Sequence, residues 1–538
     1  MKKKISFIFL LLFSFSFLLF ACNKNENSDF NFRISKDNDF YVVYGNNDLI
    51  EECVIPKMHK NLPVKAIGFG AFINYINLKS VTIPDSIEKI DNSSFYNCTS
   101  LENVIIPDSI KTIGKMAFNN CSSLTKITIP NSVTEISVGL FTGCDSLESI
   151  VVDENNKVYD SRENSNAIIE TSSNTLISGC KNSIIPNNIT KIEENAFQDC
   201  KNLKNITVPN SVKEIGDYAF SGCSSLENIV LPNDIAKIGS YTFKDCSSLK
   251  KIEIPASVVS IEREAFLGCK SLEGIVVDKN NGIYDSRENS NAIIETNTDT
   301  LILGCKNTII PNTVKTIGSE SLVDSSLKEL IIPASVISIS SFAFYYSNSL
   351  ESIIVDKNNE VYDSRENSNA IIETATNSLI LGCKNTVIPN DVEKIDYLAF
   401  AGCKTIESIT IPNNVTEIGI SAFQECKNLK NVVLPNGLIS IARSTFAFCE
   451  SLESIEIPAS VNYIRLFAFS DCSALKNVTL SKKIPEIDRA AFSGSTNLET
   501  ITYLGTKEEW SKEEKTDAFE RFIGTLKIKC TDGEINYK

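Results

Sequence analysis

Among 538 residues, those best equipped for chemistry are seventeen cysteines, one histidine and 67 Asp and Glu side chains. Thiols could hold zinc, exchange disulfides or attack a carbonyl, and each task asks for a particular arrangement. No Cys-x-x-Cys pair occurs, so a zinc site or a redox couple is not indicated. Eleven of the cysteines instead sit three residues after a recurring Phe: Cys98, Cys121, Cys144, Cys200, Cys223, Cys246, Cys269, Cys403, Cys426, Cys449 and Cys472. This ladder reads as small buried hydrophobes in a turn, or as disulfides between adjacent coils, which export would permit. His59, between Lys57 and Lys60, reads as a solvated side chain. No Gly-x-Ser-x-Gly elbow or phosphate-binding glycine loop accompanies it. Carboxylates are plentiful, yet no pair recurs within an evident pocket where a pKa could be shifted. An enzyme is therefore not expected, and no cofactor or metal is implied.

The elements that carry these residues repeat. Phe72, Phe95, Phe118, Phe141, Phe197, Phe220, Phe243, Phe266, Leu322, Phe344, Phe400, Phe423, Phe446, Phe469 and Phe492 mostly lie 23 positions apart. One step is 22, and three are 56, which equals one unit plus 33 further residues. Residues 121–143 represent the unit. Leu124, Ile127 and Ile129 predict a strand with its apolar side chains inward, stopped by Pro130, which has no N–H to donate. Val133 and Ile136 then turn back toward a small-plus-aromatic pair. Six large apolar side chains cannot offset the backbone entropy of 23 residues, so such a unit folds only by stacking on its neighbours.

The pattern Cys-x-x-Leu-x-x-Ile-x-Ile-Pro and the Ala-Phe-x-x-Cys turn resemble the BspA-like leucine-rich repeat family of surface proteins. The resemblance covers nearly the whole chain. It implies a β-rich, α/β-type right-handed leucine-rich-repeat solenoid with a parallel sheet on one face, about fifteen coils and three β-hairpin inserts. Residues 30–72 read as an N-terminal cap and first repeat, with a strand at Tyr41 to Tyr44. The solenoid would occupy 73–502, and 503–538 would form a C-terminal cap with a short helix around Trp510.

The inserts, 151–186, 276–311 and 354–389, are near copies built on Tyr-Asp-Ser-Arg-Glu-Asn-Ser-Asn-Ala-Ile-Ile-Glu-Thr. Each predicts a hairpin projecting from its coil, such as Ala167 to Thr171 with Thr175 to Ser178. Asp278, Asn280 and Asp285 invite a calcium-loop reading, but their spacing is not that of an EF-hand and such residues also suit solvated turns. Cys180, Cys305 and Cys383 read as structural.

At the start, Lys2, Lys3 and Lys4 precede an apolar run of about 16 residues, Ile5 to Phe20, short of the roughly 20 that span a bilayer. Residues 1–21 read as a secretion signal. The order Leu19-Phe20-Ala21-Cys22 resembles the lipobox of bacterial lipoproteins, which implies a lipid on Cys22 and a polar tether over 22–29. The signal carries three lysines and no acid, so its loss moves the net charge from -15 to -18. That balance disfavours nucleic acid and anionic lipid surfaces as partners.

Between the two inward aliphatics of each strand one residue points outward, and these residues form a row. It contains Ile105, Val151, Val230, Glu253, Val276, Ile331, Ile354, Val433 and Glu456, with threonines between them. An exposed apolar stripe of this length suggests an interaction surface, although β-propensity alone also favours Val, Ile and Thr there. Glu102, Lys126, Lys204, Glu227, Lys250, Lys251, Lys328 and Glu453 border it. Protein ligands are the expected partners, as extracellular matrix or other surface proteins, for a lipid-anchored chain at the cell surface or outer membrane. Self-association in the envelope is the alternative.

Overall fold

The computed structural model describes residues 29–262, 264–323, 325–345, 347–512 and 526–537. In the coil that begins at Cys121, the strand Lys126–Ile129 buries Ile127 and Ile129 and exposes Lys126 and Thr128, the period-two alternation of a half-buried strand. It pairs in parallel register with Ser149–Val152 of the next coil. After Pro130 a two-residue strand, Glu135–Ile136, pairs with Thr112–Ile113 of the coil before. A second, narrower ladder is thus added to the expected sheet. The Ala-Phe turns form a third wall that is also bonded from coil to coil: Phe72 N–H donates to the Ser94 carbonyl at 2.8 Å and Phe95 N–H to that of Ala117 at 2.8 Å. Left-handed residues two before and two after the Phe, such as Met116 and Asn120, stop this wall from winding into a helix. The described residues accordingly hold little helix, and none of it is long and apolar enough to cross a membrane.

Stacking aligns like with like. The rings of Phe72, Phe95, Phe118 and Phe141 lie nearly parallel, as do those of Phe197 to Phe266 and Phe400 to Phe492, with centroids 4.8 to 6.2 Å apart. Beneath them the cysteine ladder is buried, and its thiols, except those of Cys200 and Cys403 that follow enlarged coils, donate to the carbonyl of the Phe 26 positions earlier. Cys121 reaches Phe95 at 3.2 Å, Cys246 reaches Phe220 at 3.2 Å and Cys472 reaches Phe446 at 3.1 Å.

The inserts depart from expectation. The hairpin Ala167–Glu170 with Thr175–Gly179 does not project: Ala167, Ile168, Ile169 and Leu176 have no exposed surface. The chain follows an ordinary coil as far as Tyr159, whose hydroxyl accepts the Ile136 N–H at 3.0 Å, then folds back into the interior. Ile168 and Ile177 pack into the cluster upstream, whereas Ala167, Ile169 and Leu176 pack into the cluster downstream. The other two hairpins divide their residues in the same way. Each is a septum with both faces buried, which is why its strands are continuously apolar. The shared interior is therefore four clusters separated by three septa.

Polar residues lock each septum in place. Buried Asn156 donates to the Pro130 and Val133 carbonyls at 2.8 and 3.0 Å and accepts the N–H groups of Val158 and Tyr159, both at 2.9 Å. Asn281 and Asn359 do the same in their coils. Gly179 lies against the ring of Phe197, where a Cβ would stand 2.1 Å from Cε1; Gly382 meets Phe400 likewise. The 33 additional residues of each long step are thus one enlarged coil that lacks an Ala-Phe turn. Counting by Phe passes over these three coils and over the strands that extend the stack at its two ends, and the solenoid has about 21 turns where about fifteen were expected.

At the N-terminal end Phe30–Ile34 pairs antiparallel with Tyr41–Gly45, which runs parallel to Leu62–Ile67. At the other end Lys507–Lys512 is helical. A reciprocal capping box starts it: Thr506 N–H donates to Glu509 Oε2 at 2.7 Å and Glu509 N–H to Thr506 Oγ1 at 3.2 Å. Trp510 is buried edge-on to Tyr503, and Leu526–Cys530 with Gly533–Tyr537 extends the sheet.

Candidate interaction surface

The wider ladder sets the outward row in register. Thr82 lies beside Ile105, Thr128 beside Val151, Thr207 beside Val230, Glu253 beside Val276, Ile331 beside Ile354, Thr410 beside Val433 and Glu456 beside Thr479. Ile105 is 80% exposed and Val230 68%, and Val151, Val276, Ile331, Ile354 and Val433 are exposed as well. Glu253 and Glu456 share that outward orientation.

Four further aliphatics belong to the row. Ile184, Ile309 and Val387 are exposed, each just before a buried Ile of its enlarged coil, and Val54 stands beside Thr82 at the N-terminal end. Their signal was in the sequence, because each precedes by one residue the inward aliphatic before a Pro: Ile184-Ile185-Pro186, Ile309-Ile310-Pro311, Val387-Ile388-Pro389 and Val54-Ile55-Pro56. Hydrogen-bonded sheet pairing breaks at each enlarged coil, while exposed aliphatics occur on both sides of every break.

The bordering charges pair across coils. Glu227 bonds Lys250 at 2.8 Å, Glu273 bonds Lys306 at 2.8 Å and Lys328 meets Glu351 at 3.4 Å, while within one strand Lys251 holds Glu253 at 2.6 Å. The Lys250 ammonium keeps the Glu227 carboxyl below its ordinary range. Exposed pairs of this kind fix side-chain positions more than they stabilise.

The reactive residues are otherwise engaged. All sixteen described cysteines are unpaired thiols, fifteen of them buried. Burial pushes Cys98, Cys269 and Cys472 up to about 12, far from a thiolate at neutral pH. His59 is partly exposed but not free in solvent: its ring stacks on Phe32 at 3.9 Å and meets Tyr41 edge-on at 4.7 Å. Desolvation, then Lys60, lowers its pKa. Asp285 holds Arg287 through both carboxylate oxygens, and Asp278 accepts the Asn280 N–H at 2.8 Å. Among the described residues no group of three potential ligands is placed to hold a metal ion. Cys22 and the signal segment lie outside the described residues.

A family model, BspA type leucine rich repeat region, matches residues 44–170, 167–292, 300–374 and 393–519. The chain belongs to the BspA-type leucine-rich repeat family, whose solenoids are characteristically interaction scaffolds. Among solved structures it is similar to a leucine rich cell surface protein from Faecalibacterium prausnitzii, at 23% identity over 92% of this chain and 98% of that one with a TM-score of 0.29. It is also similar to a leucine-rich repeat protein from Bacteroides ovatus, at 22% identity over 94% and 98% with a TM-score of 0.29. A leucine rich repeat protein from T. pallidum shares 21% identity over 38% of this chain and 91% of its own, with a TM-score of 0.26. No curated protein sequence matches.

Proposed function

We propose that this is a lipid-anchored protein of the cell surface or outer membrane whose outward row binds other proteins, adhering to host matrix proteins or to other cells. The observation that carries the reading is the row itself, in which exposed Ile and Val recur from Val54 to Val433 along parallel ladders interrupted at each enlarged coil. An apolar stripe of that length is costly to leave in water and is covered when a partner docks. The family supports a scaffold in place of an enzyme. The lipid on Cys22 rests on the lipobox-like order of residues 19–22.

Residues 23–538 should bind a panel of immobilised matrix proteins, and joint substitution of Val230, Val276, Ile331 and Ile354 by Glu should weaken binding at least tenfold. Equal binding by both forms removes the row from the reading. Concentration-dependent dimers in sedimentation, abolished by the same substitutions, would assign the row to self-association instead. Protease shaving of intact cells and loss of radiolabelled lipid in Cys22→Ala test the location.

A further inference from the structure

The third septum creates a recess on the turn wall, about 220 Å³ in volume, floored by Ile380 and Leu381 of the hairpin. Phe342 and Tyr397 form its rim, 41% and 42% exposed. Their rings stand edge-to-face with centroids 5.6 Å apart, and Phe342 meets Tyr345 in the same manner at 5.9 Å. Glu373 and Asp396 complete the lining.

The fold does not demand these rings. The first junction carries Gly139, Glu194 and Thr142 where the third carries Phe342, Tyr397 and Tyr345, and the second carries Glu264, Ser319 and Leu267. Because the inserts themselves are near copies, the aromatic rim is a property of one junction alone. Ring faces with negative quadrupoles beside two carboxylates attract a cation, and a planar guanidinium can stack as well. Half-buried Lys394, held at 3.2 Å by Glu417, reaches Asp396 only at 3.5 Å, and the Thr376 hydroxyl donates to Glu373 at 2.5 Å in an exposed contact, so an entering cation competes with contacts that can be replaced. The net charge of -15 favours the approach of such a group.

We propose that this recess is a subsite for a basic side chain, arginine or lysine, of a protein partner. Its cation preference is independent of the outward row; only the word partner rests on the protein-binding reading. Calorimetric titration of residues 23–538 with N-acetyl-arginine amide and N-acetyl-lysine amide tests it, with neutral N-acetyl-norleucine amide as control. Saturable binding of the cations, at least tenfold weaker for norleucine, is the expected result. Phe342→Ala and Tyr397→Ala should each weaken it at least tenfold, and Asp396→Asn, which leaves the packing intact, several-fold. Equal binding of norleucine, unchanged binding by a folded Asp396→Asn, or no saturable signal would overturn the proposal. Glu substitutions in the outward row should leave the titration unchanged, so failure of one reading is distinguishable from failure of the other.

Discussion

An ordinary coil and an enlarged coil close the same apolar interior in opposite ways. The ordinary coil repeats one side chain at one place, so Phe lies on Phe and thiol beneath carbonyl, and each layer is completed by the next. The enlarged coil supplies no Phe of its own. It inserts a hairpin across the interior, covers both neighbours with it, and fixes it with Asn156 or its equivalents. Repetition therefore stabilises by identity in the first case and by polar locking in the second.

The largest expected effect comes from breaking identity. Phe220→Ala, within a four-ring stack, should cost about 3–5 kcal/mol. Hydrogen exchange should locate the loss of protection between the first and second septa, and loss spread evenly along the chain would contradict the division into clusters. Breaking a polar lock comes next. Asn156→Ala leaves a polar gap that water can enter to meet most of the four backbone groups it releases, so the cost is about 1–3 kcal/mol, that of one group left dry, and urea unfolding should show the first septum loosening before Phe220 does. The reverse order would make the hairpin a passenger on the ring stacks.

The smallest effect concerns alkali. Cys472 has its folded pKa raised from 9.0 to about 12, so above pH 9 the unfolded chain loses a proton that the folded chain keeps. Stability must then fall as pH rises, by about 1.4 kcal/mol per unit for one such thiol, until the folded value is reached. Cys472→Ala should flatten this slope in urea midpoints measured from pH 8 to 11. Cys305→Ala, in an enlarged coil, should flatten it less, because hydrogen bonds from Asn307 and Thr308 oppose the burial of its thiol. Equal slopes would mean that the two kinds of coil bury thiols alike.

Much of this was legible beforehand. The 23-residue register, the inward and outward alternation, the hairpin limits and the helix around Trp510 follow from local pattern. The direction of the hairpins does not, although Ala167-Ile168-Ile169 carried a clue: a projecting ribbon alternates, whereas a strand buried on both faces does not. Ile184, Ile309 and Val387 escaped because the register was taken from Phe, the one landmark that an enlarged coil lacks. His59 could not be placed, since Phe32 and Tyr41 reach it only through strand pairing of the folded end. The rim of Phe342 and Tyr397 was equally hidden, as residues 55 positions apart become neighbours only when the coil between them omits its turn.

Open-ended stacks share a weakness, because fraying that begins at one tip can run the length of the column. The three hairpins act as bulkheads against it. Water admitted at Phe492 meets a wall at Leu379 and Ile372 before it reaches the middle of the molecule. A chain worn from one end would thus shed structure one compartment at a time, keeping the remainder folded.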